Sequence, residues 1–343
     1  MDGGISRISI KYFGVLPDID LDCLLPVNLV IGENCTGKTS FLKLMYAVVR
    51  SMEIFRRGDD VRSFSDIISE KLRWTFQVDK IGDLVTKGAE GSCAVSMQIT
   101  EDNAGFSFSQ SASGKVGTAE HPAANRDANS VFIPAKEVLS LFAVILKSRE
   151  IDSSFGFDDT YYDLVKALRV VPGRGRNYAA LANSRKKLKD IISGKVDFDE
   201  KRERWYYKDS RQYRYSIGAT SEGIKKISIL DRLFANGYVD RNSVIFIDEL
   251  ESALHPDAIS GFLDMIFDIA SALGTQFFIS SHSYFVIKKL ALLAMKEADK
   301  VGCISLKRNR IYEFCDLHNG LPQNSIIDAA ISLYEEEVDS VLS

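Results

Sequence analysis

The apolar positions of this chain follow two rhythms that alternate along its length. Near the start, runs of alternating or wholly apolar residues at 5–10, 19–23 and 27–31 read as strands, with a turn at Gly14. The third run enters a glycine-rich loop. Beyond it Phe41, Leu42, Leu44, Met45, Val48 and Val49 recur at helical spacing through 38–51. A helix is expected near 61–71, then short strands near 94–100 and 105–110, and a loop rich in Ser, Gly, Ala and Asn over 111–129. Residues 131–133 read as a short buried strand, and Pro134 is placed to open a helix over 136–146. Helices at 158–170 and 178–192 follow, then a hairpin of 204–207 with 212–217 turning about 208–211. A helix runs from Thr220 to Asn236, and the almost wholly apolar 243–247 suits a central strand covered on both faces. Helix 256–272, strand 276–280, helix 284–295, strands 301–306 and 309–314 and a last helix at 325–342 complete the pattern.

Strand and helix alternate, so an α/β fold with a largely parallel core sheet is expected. The chain divides into 1–57, the first strands and the glycine loop; 58–129, a small β-rich insertion; 130–220, a helical and hairpin lobe; and 221–343, the remainder of one composite domain. There is no internal repeat and no sustained heptad run.

Composition narrows the class only a little. The 343 residues are 45% hydrophobic and 26% charged, ordinary for a globular protein. A formal net charge of −4 argues against a surface that coats nucleic acid throughout, yet allows a local basic patch. Cys23, Cys35, Cys93, Cys303 and Cys315 show no CxxC pairing, which suggests neither a zinc site nor a disulfide framework. No signal peptide is read at the start, and no apolar run approaches the roughly 18 residues that a membrane span needs. A cytoplasmic protein without a membrane partner is expected.

The chemistry is concentrated in four short stretches. Gly32-Glu33-Asn34-Cys35-Thr36-Gly37-Lys38-Thr39, followed by Ser40, fits the phosphate-loop pattern at every fixed position, between a strand and a helix. Its glycines let backbone N–H groups wrap phosphates, Lys38 would reach the β- and γ-phosphates, and the Thr39 hydroxyl would ligate Mg²⁺. Val244-Ile245-Phe246-Ile247-Asp248-Glu249 is a buried strand ending in two acids. Asp248 there would serve Mg²⁺, and Glu249 would polarise the attacking water. Ser280-Ser281-His282-Ser283 ends the next apolar strand, where His282 could donate to a γ-phosphate; a surface His at a helix start is the competing reading. Ala219-Thr220-Ser221-Glu222-Gly223 opens a helix with Ser221 as N-cap, and a helix start is an anion site.

Together these stretches resemble the ABC-type ATPase head shared by transporters, SMC proteins, RecF and the overcoming-lysogenization-defect ATPases. Residues 32–40 resemble the Walker A loop, Ser221-Glu222-Gly223 a degenerate signature, Asp248 and Glu249 the Walker B acids, Ser252-Ala253-Leu254-His255 the D-loop and His282 the switch histidine. The resemblance implies a P-loop NTPase of ABC-ATPase type, with a mixed, largely parallel sheet, a small β-rich insertion and a helical signature lobe. It implies ATP and Mg²⁺ as cofactors, ATP hydrolysis as the activity, and a homodimer or higher homo-oligomer in which Ser221 and Gly223 of one copy face the ATP of another.

Glu222 departs from this pattern by placing an acid where the family has glycine. No Q-loop glutamine is evident, and Glu137 stands at the comparable strand-to-helix junction. Cys35 inside the loop could be a reactive thiol or merely a small side chain. Over 174–211 a basic stretch laced with aromatics (Arg174, Arg176, Arg185, Lys186, Lys187, Lys189, Lys201, Arg202, Arg204, Trp205) could grip nucleic acid or form a solvated face. A transporter subunit would need a clean signature and Q-loop, an SMC protein long coiled-coil arms, and an overcoming-lysogenization-defect nuclease an acidic C-terminal domain. The chain resembles instead a bare ATPase head, a nucleotide-driven switch for a separately encoded nuclease or toxin in anti-phage defence. The alternative is a RecF-like repair ATPase that loads on DNA.

Overall fold

The computed structural model describes residues 3–170 and 178–342. In chain order the first elements are β1 (Ile5–Lys11), β2 (Ile19–Leu21), β3 (Val27–Gly32), α1 (Lys38–Ile54), α2 (Phe64–Phe76), β4 (Cys93–Ile99), β5 (Asp102–Phe108), β6 (Thr118–Glu120) and β7 (Val131–Ile133). There follow α3 (Phe142–Glu150), α4 (Asp159–Arg169), α5 (Tyr178–Ile192), β8 (Gly194–Asp199), β9 (Arg204–Asp209), β10 (Arg214–Ser216) and α6 (Glu222–Ala235). The last are β11 (Val244–Ile247), α7 (Pro256–Leu273), β12 (Gln276–Ser280), α8 (Tyr284–Ala294), β13 (Val301–Lys307), β14 (Ile311–Asp316) and α9 (Ser325–Leu342).

The central sheet has the order β14-β13-β3-β12-β11-β7, parallel throughout except for β14 at its edge. Its strands are short and apolar because both faces are covered. Side chains alternate between two cores: Leu29, Ile245, Ile247 and Ile279 point to the side of α4 to α8, while Val30, Val244, Phe246 and Phe278 point to the side of α1 and α2. Helix α1 is buried almost all round, since a second sheet covers its other side. That sheet is antiparallel, in the order β2-β1-β4-β5-β6.

The strands of 58–129 join the opening strands in this sheet: β4 pairs along β1, and one core joins them to α1. The helix expected at 136–146 begins only at Phe142. Residues 134–141 form turns that bury Val138 and Leu139 side by side, and the Glu137 carboxylate accepts from the Ser140 N–H at 3.0 Å. The hairpin at 204–217 forms and gains a third strand, β8, whose charged residues mask a short apolar alternation at Val196 and Phe198. Phe13 is core, edge-on to Phe76 with ring centroids 5.1 Å apart. Among the described residues no helix is long and apolar enough to cross a membrane.

Candidate functional site

Parallel strands end on a common edge, and the ends of β3, β11 and β12 bring the expected stretches together there. The loop after β3 takes its shape from backbone that other residues tolerate poorly. Gly32 has φ 153° and Gly37 φ 97°. A Cβ on Gly32 would lie 2.3 Å from the Leu306 carbonyl oxygen on β13, and one on Gly37 would lie 2.6 Å from Leu16. Cys35 also sits at positive φ, 68°, and like Asn34 is exposed. Thr36 ties the loop internally, its hydroxyl donating to the Glu33 carbonyl at 2.9 Å. Glu33 pairs with Arg308 from the β13–β14 turn. Lys38 folds back over the loop, Nζ donating to the Gly32 and Glu33 carbonyls at 2.8 Å each. Burial pushes its pKa below the ordinary lysine value, against the pull of Asp248, Glu249 and Glu251. Ser40, half-buried, continues into α1.

At the end of β11, Asp248 is buried and its two carboxylate oxygens each lie 3.0 Å from the Thr39 hydroxyl. Ser280 at the end of β12 donates to Asp248 Oδ1 at 2.6 Å and accepts from the Glu249 N–H at 2.8 Å. Glu249 is at φ 45°, a left-handed conformation that costs a non-glycine residue about 1 kcal/mol or more and survives only where its neighbours impose it. The His282 N–H donates to Glu251 Oε1 at 2.7 Å, so the ends of β11 and β12 are bonded a second time. The other oxygen of Glu251 is buried without a hydrogen-bond partner among the described residues. Burial, and then the neighbouring Lys38 charge, hold the His282 pKa below its ordinary value.

Ser221 caps α6, accepting from the Ile224 N–H at 3.4 Å. Gly223 packs on the 252–255 turn so closely that a Cβ would lie 2.6 Å from the Ala253 carbonyl oxygen. Glu222 turns back along its helix to Lys225, at 2.7 Å. Lys225 also holds Glu137, at 3.3 Å, so this acid faces α6 rather than Thr39 and Asp248. Of the basic stretch, Arg185 pairs with Asp231 at 2.9 Å and Lys187 with Asp268 at 2.5 Å; just beyond it, Arg214 pairs with Asp199 at 3.2 Å. Arg174 and Arg176 lie outside the described residues.

The sequence pattern marks no role for Ser280, two residues before His282, nor for Lys226. Lys226 Nζ donates to the Asp248 and Glu249 carbonyl oxygens at 3.1 and 2.5 Å, and burial pushes its pKa down to about 8. The available signal was the pair of lysines Lys225 and Lys226 set between the apolar Ile224 and Ile227 of α6.

No group of three or more His, Cys, Asp or Glu among the described residues could hold a metal by itself. Thr39 and Asp248 do offer hard oxygens at one point, the kind of partial set that suits Mg²⁺ with phosphate and water completing it. Residues 105–288 match the family described as "AAA domain, putative AbiEii toxin, Type IV TA system". The match takes in Ser221, Asp248, Glu249 and His282 and begins after the glycine loop. Among solved structures, the SMC head bound to the C-winged helix domain of ScpA is 13% identical, covers 91% of this chain and 97% of its own, and has a TM-score of 0.53. The SMC head domain from Thermotoga maritima is 13% identical over 91% and 98%, with a TM-score of 0.48. The recombination mediator RecF of the RecFOR pathway is 15% identical over 91% and 98%, with a TM-score of 0.45. No curated protein matches the chain. The fold is that of an ABC-type P-loop ATPase head, α/β with a largely parallel sheet.

Proposed function

The chain belongs to this AAA-domain family, and from that premise we propose that it binds Mg·ATP at 32–40, hydrolyses it, and uses the cycle as a switch. The observation that carries the reading is the meeting of Thr39 and Asp248 at 3.0 Å, which joins the phosphate loop to the acidic strand end. Lys38 exchanges the Gly32 and Glu33 carbonyls for the β- and γ-phosphates. Thr39 and Asp248 hold Mg²⁺, which when bound neutralises phosphate charge. Glu249 orients a water and takes its proton as it attacks, and His282 donates to the γ-phosphate. Ser221 and Gly223 face the nucleotide of a second copy, so that ATP favours a head-to-tail pair. The effector of this switch, in our reading, is a nuclease or toxin encoded separately and controlled by the cycle in anti-phage defence, within the cytoplasm; the toxin–antitoxin wording of the family description is compatible with such a module. Loading on DNA is the weaker reading, because Arg185 and Lys187 are already occupied by Asp231 and Asp268.

Glu249→Gln tests the proposal. The amide still permits ATP binding but accepts no proton, so turnover should fall by about 10²–10⁴. Light scattering should then show an ATP-bound assembly that ADP does not support. Hydrolysis at the wild-type rate would move the base to Glu251, whose Oε2 is buried without a hydrogen-bond partner among the described residues. An inactive variant of the same size with either nucleotide would remove the ATP-driven pairing.

A further inference from the structure

Buried lysines are uncommon, and one that spends its donors on two consecutive carbonyls at a strand end is well placed to set a backbone. Lys226 lies on α6 with 3% of its surface exposed. Its ammonium bonds the carbonyl oxygens of Asp248 and Glu249, on the two peptide units that follow the acids. The Glu249 N–H is held by Ser280, and the Glu249 carbonyl also accepts from the Ser252 N–H at 2.9 Å. Both sides of Glu249 are thus pinned, in a conformation, φ 45°, that its side chain disfavours. A pinned backbone fixes the direction of the Cα–Cβ bond and narrows the rotamers from which the carboxylate can act.

Hydrogen bonds and burial together hold this lysine. A cavity of about 350 Å³ opens beside it, lined also by Ala135, Glu137, Glu222, Ser252 and Ala253. Lys226 also stands under one and a half turns from Ser221 on the same helix. A displacement of the start of α6 therefore carries the ammonium with it.

We propose that Lys226 is a positioning residue for the Glu249 carboxylate, and that it couples the start of α6 to that carboxylate within one chain. The inference rests on the reading of Glu249 as the base. In a head-to-tail pair it means that a copy whose Ser221 engages its partner's nucleotide adjusts its own Glu249 by the same movement. The lysine touches no substrate; it acts through the backbone that carries the acid.

The test is a double-mutant cycle on the full chain, with affinity read from a fluorescent ATP analogue, hydrolysis from single-turnover release of labelled phosphate, and folding from thermal melts. Lys226→Met should lower the hydrolysis rate about 10- to 100-fold, the scale of a misplaced catalytic group, with affinity within about twofold of wild type. Lys226→Arg, which keeps a cationic donor, should recover most of the rate. In the Glu249→Gln background Lys226→Met should bring no further loss, because the group it positions is already disabled. An equal loss in both backgrounds overturns the coupling. So does a Lys226→Met protein that turns over at the wild-type rate while Glu249→Gln is dead. Wild-type hydrolysis by Glu249→Gln instead overturns the reading of the base and leaves the role of Lys226 to be assigned to another acid. Should the Met variant fail to melt cooperatively, Lys226→Gln, which keeps a neutral donor, carries the same cycle with the same deciding outcomes.

Discussion

The phosphate loop and the end of β11 touch through a single threonine, yet they are built in opposite ways. The loop is local. Gly32 and Gly37 give it left-handed backbone, Thr36 bonds Glu33, and Lys38 bonds Gly32 and Glu33, all within a few residues. The β11 end is assembled from distant chain. Asp248 is held by Ser280, its N–H by the Ile133 carbonyl, its carbonyl by Lys226, and Glu251 reaches the N–H of His282. The internal bonds of a local motif are lost chiefly through changes inside it. An assembled one can be disabled from residues far away in sequence that never touch a nucleotide.

The largest effect expected from breaking this contrast is at the loop's fixed cation. Lys38→Ala should weaken ATP binding by about 100-fold or more, since bonds to charged groups are worth about 1.5–3 kcal/mol each and this ammonium would make several. Calorimetric titration with ATP decides it, and unchanged affinity would sink the assignment of the loop. Gly32→Ala should come next: its Cβ would meet the Leu306 carbonyl at 2.3 Å, so the cost is strain on β13 as well as on the loop. A loss of about 1–3 kcal/mol is expected in chemical unfolding, the usual range for forced overpacking.

Ser280→Ala probes the assembled half without touching the loop. It removes the bonds to Asp248 and to the Glu249 N–H, and should slow hydrolysis about tenfold while ATP affinity changes less, on a scale of about 1.5 kcal/mol for a bond to a carboxylate. Equal losses in affinity and rate would instead place Ser280 with the binding groups. The smallest effect is on pH. The Lys226 pKa, lowered to about 8, means that the unfolded chain binds this proton more tightly than the folded one. Its contribution to stability should therefore rise with pH, from about 8 up to the ordinary lysine value near 10.4, by at most about 1.4 kcal/mol per pH unit. The gap between wild type and Lys226→Met in urea unfolding at pH 8 and pH 10 measures it. A gap independent of pH would show that the folded lysine titrates normally.

Much of this was legible beforehand, for reasons that differ by element. Strand β11 announces itself because burial on both faces demands an apolar run, β3 and β12 because they are mostly apolar, with Asn28 inside the one and Gln276 and Ser280 ending the other, and α7 because Pro256 opens it and Gly274 closes it. The helix start at Phe142 was not legible, because Pro134 satisfies a helix opening and a turn equally well. Nor was the company of β4 to β6: alternation marks a strand, but pairing with β1 is chosen by the shared core around α1. The unusual acid Glu222 was visible in the sequence, but its contact with Lys225 was not.

By itself, then, the sequence determined those features whose cause lies in neighbouring residues: the strand and helix periods, the glycine loop with its cation, and the acids that end a buried strand. Their physics is set by backbone geometry and by burial, which act over a few residues. The tertiary structure alone decided how Ser280, Lys226, Glu251 and His282 converge on Asp248 and Glu249. Hydrogen bonds between residues far apart in the chain exist only once the parallel strands have aligned their ends, and no local pattern records that alignment.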